Sequence, residues 1–293
     1  MRDIYYEVAE LTFKVTVPDE WDIENTLQAY ADFQTTDKPE DDLLFTATFN
    51  SGAFPLSTSK QEEVGTSDND LGYLVLTKDE NHYWAKMSYG SREIVHLWTS
   101  NKAFDYVQAQ LNTQDSYWGL ALTSILRIAF SQAILRKQGI SIHASCVWKD
   151  EEGYLFLGKS GTGKSTHAKM WLQHLEDVEL LNDDNPVLRI TNDGSVRVFG
   201  TPWSGKTPCY KQKKYPAKAL VRLEQAPNNE YKNLTGIEAF TATLPSCSVV
   251  QKDEWLQELL YDTLIEITDL ITVGYLKCLP DKEAAHICYQ NTH

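Results

Sequence analysis

The chain has 293 residues, of which 42% are hydrophobic and 11% aromatic, and its formal net charge is −14 at pH 7. This length suits two domains, and this composition builds packed cores rather than disordered segments. The negative charge argues against a broadly basic surface that binds nucleic acid or anionic membranes. The five cysteines form no CxxC pair, the N-terminal stretch alternates polar and apolar residues, and no run of eighteen apolar residues occurs. We therefore expect a cytoplasmic protein without a membrane span.

The first part of the chain, residues 1–115, is predicted to form a β-rich domain. Alternation in "ELTFKVTV", "LLFTATFN" and "REIVHLWTS" is typical of half-buried strands, and "GYLVLTKDENHYWAKMSYG" predicts two strands around an Asp-Glu-Asn turn. The segments "TTDKPEDD" and "STSKQEEVGTSDND" are predicted to be polar loops. No motif in this part indicates a chemical role.

An apolar helix is predicted for residues 116–139. Asp115 or Ser116 can cap its start, and Gly139 suits the left-handed position that follows a helix. Because the segment is apolar on most sides, we expect the helix to be buried between the two halves of the chain. We therefore place a domain boundary at its start and assign 116–293 to a second domain.

A phosphate-binding motif follows two short predicted strands. "SIHASCVW" and "YLFLG" are joined by "KDEEG". Such a short turn can join only antiparallel neighbours, because a parallel crossover needs a dozen residues or more. The second strand runs into "GKSGTGKST", which fits G-x-x-x-x-G-K-[ST] at every fixed position and is followed by a helix-compatible stretch. The strand, loop and helix together predict a nucleoside triphosphate site.

The chemistry of this loop assigns a role to each part. Its glycines allow a tight turn that points backbone N–H groups at phosphate oxygens, and the following helix adds its positive N-terminus. Lys164 is expected to reach the β- and γ-phosphates, and the Ser165 hydroxyl to ligate Mg²⁺. The predicted ATP-binding residues are Gly158, Lys159, Ser160, Gly161, Thr162, Gly163, Lys164, Ser165 and Thr166.

A pair of aspartates follows the next helix. "VELLNDDNPVL" predicts a strand that ends in Asn182, Asp183 and Asp184. Beside Mg²⁺–ATP, one carboxylate can hold the metal and the other can accept the proton of an attacking hydroxyl. The alternative is a polar β-turn, because Asn-Asp-Asp-Asn-Pro is favourable turn chemistry. The position one helix after the loop favours the site.

Other segments leave alternatives open. The loop "GTPWSGKTP", with Trp203 and Lys206, either covers the substrate or connects two strands. His143, on the strand before the loop-bearing one, is either structural or close to the phosphates. The basic stretch at 209–218 is predicted to be a solvated loop. "NPVLRITNDGSVRVFG" predicts a hairpin, and the C-terminal part predicts a helix, a strand and a helix.

Together these motifs resemble the catalytic domain of bacterial HPr serine kinase/phosphorylase. That family has a strand histidine followed by a small residue, here His143 and Ala144, then a hairpin into a G-x-S-G-x-G-K-S loop. It also has two aspartates after the next helix, as in "LLNDDNPVL". The resemblance covers about residues 140–210. It implies a mixed α/β fold similar to the nucleotide-binding core of phosphoenolpyruvate carboxykinase, in which a mixed sheet carries the phosphate loop.

The resemblance also implies an activity. The chain would be an ATP- and Mg²⁺-dependent kinase that transfers the γ-phosphate to a hydroxyl, that of a serine in a protein or peptide or that of a small molecule. Lys164 and Ser165 would bind the phosphates and Mg²⁺. His143, Asp183 and Asp184 would surround the γ-phosphate, with Asp184 as the base and Asp183 at the metal.

The chain also departs from that family. Thr166 follows the loop serine, where the family commonly has an acidic residue, and residues 1–115 do not resemble the N-terminal domain of HPr kinase. The substrate loop of HPr kinase is not matched either. We therefore expect a relative with its own acceptor, and the sequence leaves the oligomeric state open. One alternative is a nucleotide-sensing module without turnover. A carboxykinase-like enzyme ranks third, because it would need a set of arginines for its substrate. The arginines that follow the loop, Arg189, Arg197 and Arg222, all lie in strand patterns.

Overall fold

The computed structural model describes residues 1–39, 42–50, 52–55, 57, 59–69, 72–90, 92–205 and 207–293. Its contacts divide the chain into two compact units. The first comprises Met1–Ile134 and Val249–Gln257, and the second Leu135–Ser248 and Glu258–His293. Each unit is built on a nine-stranded mixed sheet, so the protein is a mixed α/β protein that is mostly sheet.

The first sheet has the order β3-β1-β2-β4-β9-β8-β7-β6-β5, in which β4 is parallel to β2 and β9 and the other neighbours are antiparallel. Its strands are β1 (Arg2–Val8), β2 (Leu11–Val17), β3 (Gln34–Thr35), β4 (Thr46–Phe49), β5 (Glu62–Asn69), β6 (Gly72–Lys78), β7 (His82–Ser88), β8 (His96–Asn101) and β9 (Tyr106–Gln110). Along β2 every second residue is buried, as its alternation predicts.

Strand β5 corrects the sequence analysis, which predicted a polar loop for this segment. The strand lies at the edge of the first sheet, beside β6. Most of its described side chains are exposed, and Val64 is a buried exception. An edge strand can carry polar residues on both faces, so it lacks the alternation on which the prediction depended.

Two helices belong to the first unit, α1 (Ile23–Thr26) and α2 (Trp118–Ala133). Phe130 of α2 packs edge-on against Phe13, with ring centroids 6.0 Å apart. The predicted boundary assigned this helix to the second domain, whereas the contacts group it with the first sheet. By length and composition, Trp118–Lys137 is the one helical stretch among the described residues that could cross a membrane, and 61% of its most apolar window is buried.

A short segment late in the chain, Val249–Gln257, also belongs to the first unit. Its Asp253 carboxylate is buried and accepts hydrogen bonds from the Tyr83 hydroxyl at 2.7 Å and from Lys78 Nζ at 3.1 Å. The same carboxylate accepts the backbone N–H of Leu256 at 3.1 Å. The sequence analysis, which placed one domain boundary near residue 116, did not predict that this segment returns to the first unit. The contacts that hold it there join residues about 170 positions apart.

The second sheet contains β10 (Gly139–Ser141), β11 (Ala144–Lys149), β12 (Glu152–Leu157), β13 (Glu179–Asp184), β14 (Val187–Ile190), β15 (Val196–Phe199), β16 (Lys214–Gln225), β17 (Glu230–Leu234) and β18 (Thr272–Cys278). The remaining helices are α3 (Lys164–His174), α4 (Gly236–Thr243), α5 (Glu254–Leu270), which starts in the returning segment, and α6 (Lys282–Thr292). The predicted hairpin is β14–β15, and the predicted helix, strand and helix at the C-terminal end are α5, β18 and α6.

Strand β12 has neighbours of both directions. It pairs antiparallel with β11, as the short turn between them predicts, and parallel with β16 on its other side. Beyond these, β13 pairs antiparallel with β11, and β18 pairs parallel with β16. Helices α3 and α6 share a buried cluster with the sheet through Trp171, Phe156, Ala285 and Leu276. The four apolar residues that end β12 are buried, as expected of a central strand.

The basic stretch at 209–218 is only in part the solvated loop that was predicted, since residues 209–213 form no strand or helix and Tyr210, Gln212 and Lys213 are exposed. Its second half begins β16 at Lys214. Lys211 Nζ lies 2.9 Å from a Glu179 carboxylate oxygen, and Lys218 Nζ lies 3.0 Å from a Glu152 oxygen. These ion pairs to neighbouring strands neutralise part of the cluster.

Candidate functional site

The predicted phosphate loop, residues 158–165, connects β12 to α3, so the predicted order of strand, loop and helix is present. Gly161 and Gly163 have φ values of 81° and 106°, and an added Cβ at either would meet nothing within 4 Å. The backbone conformation, rather than a lack of space, therefore requires glycine at both positions. Lys164 Nζ donates to the carbonyl oxygens of Gly158 at 3.0 Å and of Lys159 at 3.4 Å. The ammonium thus lies over its own loop.

Three charged side chains act on the pKa of Lys164 in this loop. Burial lowers the pKa of the Lys164 ammonium, the Asp184 and Asp183 carboxylates raise it, and the Arg222 guanidinium lowers it further; the net pKa is below its usual value. The pairings of β13 with β11 and of β16 with β12 place Asp184 and Arg222 at the level of Leu157, the residue before the loop.

Asp183 and Asp184 are the last two residues of β13. Asp184 pairs with Ala144 of β11, which pairs in turn with Leu157, the residue before the loop. Successive strand residues point to opposite faces, so the two carboxylates approach the loop from different sides. Asp183 is buried, and its Oδ1 has no hydrogen-bond partner in the described part of the chain. A buried carboxylate oxygen without a partner is costly unless a ligand satisfies it.

His143 lies immediately before β11 rather than within a strand, which corrects the prediction of one continuous strand. Its backbone N–H donates to the Ser246 carbonyl at 2.7 Å. Its Nδ1 is 3.0 Å from Asp184 Oδ1, with 42% of the histidine side chain and 25% of the aspartate side chain exposed. The ring therefore contacts one of the paired carboxylates at a solvent-accessible position.

Asn182 holds the turn that carries the aspartates. Its side-chain oxygen accepts the backbone N–H groups of Asp184 and Asn185, both at 3.0 Å. Its amide nitrogen donates to the carbonyls of Thr201 at 3.3 Å and Trp203 at 3.0 Å. Asn182 is fully buried. The polar turn and the carboxylate pair are therefore formed by the same residues. The two alternatives that the sequence offered, a β-turn and a carboxylate site, do not exclude each other.

The loop "GTPWSGKTP" lies against the aspartate turn. The Trp203 side chain is buried, which favours the connector alternative for this residue. Lys206 lies outside the described residues. Gly205 donates its N–H to the Asp183 carbonyl at 3.2 Å, and an added Cβ would stand 2.7 Å from that oxygen. The glycine is required by this close approach of two backbones.

We expect Gly205→Ala to destabilise the second unit and to impair the site together. The added Cβ must displace the backbone of Asp183, and overpacking of this kind costs about 1–3 kcal/mol. Thermal unfolding and nucleotide binding would measure the two effects. Gly65→Ala is the control, since its Cβ would meet only Leu76 Cβ at an ordinary 3.9 Å. An unchanged melting temperature for Gly205→Ala would contradict the close approach.

Two residues near the loop were not identified as site residues from the sequence. Arg222 of β16 pairs with Leu157, and its Nη1 is 3.5 Å from the Ala242 carbonyl. Gln225, where β16 ends, donates its side-chain amide to the carbonyls of Gly161 and Thr162, both at 3.3 Å. Both lie in an ordinary strand pattern. Only the parallel register of β16 with β12 reveals their position.

The donor set fits Mg²⁺ carried by a nucleotide. The described residues contain no cluster of three or more His, Cys, Asp or Glu that could hold a metal by themselves. Mg²⁺ does not need one, because it is usually bound by one or two carboxylates, water and substrate phosphates. Asp183, with its unpartnered oxygen, and the Ser165 hydroxyl at the start of α3 are oxygen donors of the required type.

Comparisons with known proteins identify no family for the chain. No protein-family model matches it, and no curated protein is a significant match. The resemblance to HPr kinase therefore rests on the sequence motifs.

Proposed function

We propose that the second unit is a phosphotransferase that moves the γ-phosphate of Mg²⁺–ATP to an alcohol acceptor, a serine of a protein or peptide or a small molecule. The observation that carries this proposal is the strand register that brings the end of β13, with Asp183 and Asp184, to the level of Leu157, the residue directly before the loop. A loop alone would support nucleotide binding. A carboxylate pair at its γ-phosphate end supports phosphoryl transfer as well.

In this proposal the chain's own groups position the triphosphate. The N–H groups of the loop and of the first turn of α3 bind phosphate oxygens. Lys164 turns from the carbonyls of Gly158 and Lys159 to the β- and γ-phosphates. Mg²⁺, held by Asp183 and Ser165, supplies charge neutralisation between the phosphates when bound. The buried Asp183 oxygen then has the partner that the described protein residues do not provide.

Asp184 serves as the general base. The acceptor hydroxyl oxygen forms a bond to the γ-phosphorus, the bond from phosphorus to the β,γ-bridging oxygen breaks, and ADP leaves with that electron pair. The hydroxyl proton passes to the Asp184 carboxylate. His143 Nδ1 and Asn185 Nδ2 contact its two oxygens, at 3.0 Å and 2.5 Å. These contacts fix the orientation of the carboxylate, and positioning of this kind supplies much of the catalysis in phosphoryl transfer.

The mixed neighbours of β12 support a fold of the HPr kinase and phosphoenolpyruvate carboxykinase type. An antiparallel hairpin precedes the loop and parallel strands lie on the other side. The first unit, with its own nine-stranded sheet, has no counterpart in that resemblance. We therefore propose a relative of HPr kinase with a different acceptor.

The proposal is tested by transfer from γ-labelled ATP in the presence of Mg²⁺. The acceptors are free serine, serine-containing peptides and carrier proteins, each incubated with the full chain. Label on one acceptor class supports the kinase and names its substrate. Tight ATP binding without label on any acceptor would contradict it and favour a nucleotide-sensing module.

We further predict that Arg222→Gln lowers transfer and reduces the preference for ATP over ADP. Arg222 lies on β16 opposite Leu157, the residue before the loop, so we expect its guanidinium to reach the γ-phosphate, which ADP lacks. Losing one such donor to the transferred group costs on the order of 10²-fold in kcat. Separate ATP and ADP titrations would measure the loss of preference, and the transfer assay the loss of rate.

Arg197→Gln is the matched control, since Arg197 pairs with Asp193 at 3.4 Å on the β14–β15 hairpin. It should leave the ratio of ATP to ADP affinity unchanged. A purely structural role for Arg222 would lower the melting temperature and both affinities equally, which would contradict the phosphate contact.

A further inference from the structure

A cavity of about 410 Å³ adjoins the phosphate loop on the side of β16 and β18. Its wall begins at Thr162 and Thr166, in the loop and the first turn of α3, and continues through Leu223, Ala226, Cys278 and Pro280. The volume lies within the range of small-molecule sites. The cavity is thus continuous with the loop that would hold the phosphates.

The far wall of this cavity is fixed by hydrogen bonds. Ala226 donates its N–H to the Cys278 carbonyl at 3.2 Å, and Leu279 donates its N–H to the Asn229 side chain at 2.8 Å. Asp281 accepts the N–H of Ala284 at 2.9 Å and so caps α6 directly after the wall. The near wall is tied to the loop through the Gln225 amide. The cavity is therefore formed before any ligand enters.

His167, which also lines the cavity, carries an unsatisfied polar atom. Its Nε2 accepts the Trp171 indole N–H at 3.1 Å, so the ring proton is on Nδ1. The side chain is 97% buried, since its relative exposure is 3%, and Nδ1 has no hydrogen-bond partner among the described residues. That N–H is itself closed to solvent, so His167 forms part of the wall without presenting this donor to the cavity.

We infer that this cavity binds the nucleoside of the triphosphate, and that it takes purines with little discrimination between adenine and guanine. The inference rests on the proposed function, because it assigns the rest of the same ligand. Leu223, Ala226 and Pro280 offer apolar surfaces for a planar base directly beside the loop. The phosphates would lead from the loop directly into this space.

Weak discrimination follows from the lining. No Asp, Glu, Lys or Arg is among the described residues of the wall. Burial lowers the pKa of His167 to about 4, so its ring is neutral near pH 7. The Gln225 amide nitrogen already serves the loop carbonyls. Strong rejection of a similar ligand requires buried polar groups that the wrong ligand leaves unpaired, and apolar walls give only weak selectivity.

The first test compares wild-type affinities for ATP, GTP and inorganic tripolyphosphate with Mg²⁺. Tripolyphosphate engages the loop without a nucleoside. We expect ATP and GTP to bind within about tenfold of each other and both at least about tenfold more tightly than tripolyphosphate. Equal affinity for ATP and tripolyphosphate would overturn the nucleoside site but leave the loop assignment intact. No binding of any of the three would overturn the proposed function itself.

The second test fills the cavity with Ala226→Phe. We expect its ATP affinity to fall to that of tripolyphosphate, while its tripolyphosphate affinity stays at the wild-type value. Leu172→Phe, at an exposed position of α3 outside the cavity wall, should change neither. A folded Ala226→Phe variant with wild-type ATP affinity would overturn the inference. If that variant does not fold, the wild-type comparison of ATP with tripolyphosphate still decides.

Discussion

Asp184→Asn is expected to retain ATP binding and to lose phosphoryl transfer. The amide keeps the shape of the carboxylate but cannot accept the hydroxyl proton, and general base catalysis contributes roughly 10²- to 10⁴-fold. Binding should change less, because the loop and Lys164 hold the phosphates. Single-turnover transfer from γ-labelled ATP, with ATP affinity measured by calorimetry, would separate the two effects.

The control for this prediction is Asp262→Asn, at an exposed position of α5. It should leave both ATP affinity and transfer within about threefold of the wild type, as surface substitutions do. Full transfer by Asp184→Asn would show that this carboxylate is not the base. Loss of ATP binding together with transfer would assign it to the phosphate site instead.

The contact between His143 and Asp184 allows a second test of the role of Asp184, through the effect of His143→Gln on kcat. If His143 only orients the Asp184 carboxylate, His143→Gln should lower kcat while leaving ATP affinity unchanged, since its Nδ1 contacts Asp184 Oδ1. The loss should be smaller than that of Asp184→Asn, because the Asn185 contact to the other carboxylate oxygen remains. A larger loss would place the proton on the histidine rather than on the aspartate.

The parts of the site that the sequence predicted are local in the chain. The loop is fixed by its own glycines, and α3, from Lys164 to His174, lies where a helix-compatible stretch was predicted after the loop. The antiparallel pairing of β11 and β12 follows from the short turn between them. These features depend on backbone conformation within a few residues. Residue types alone are therefore enough to predict them.

The parts that the sequence did not predict depend on register between distant strands. Arg222 lies in an apolar run on β16. Its sequence context does not distinguish it from Arg189 or Arg197, which also lie in strand patterns. Its place beside Leu157 is decided by the parallel pairing of strands 65 positions apart in the chain. Asn182 was noted only as a turn residue, although its buried amide joins the aspartate turn to Thr201 and Trp203. The pairing of distant strands leaves no periodic pattern in the sequence. The residues that such pairing brings together are therefore seen only in the folded structure.

Lys164→Ala is expected to weaken ATP binding by roughly 10- to 100-fold, the equivalent of losing one hydrogen bond to a charged group. Transfer should fall further, since charge on the transferred phosphoryl group grows in the transition state. Burial lowers the pKa of this ammonium, which means that its charged form is partly desolvated. Its removal should therefore not lower the free energy of unfolding. Lys169→Ala, at an exposed position on the same helix, should leave ATP affinity unchanged. Unaltered ATP affinity in Lys164→Ala would contradict the phosphate loop itself, and with it every role assigned around it.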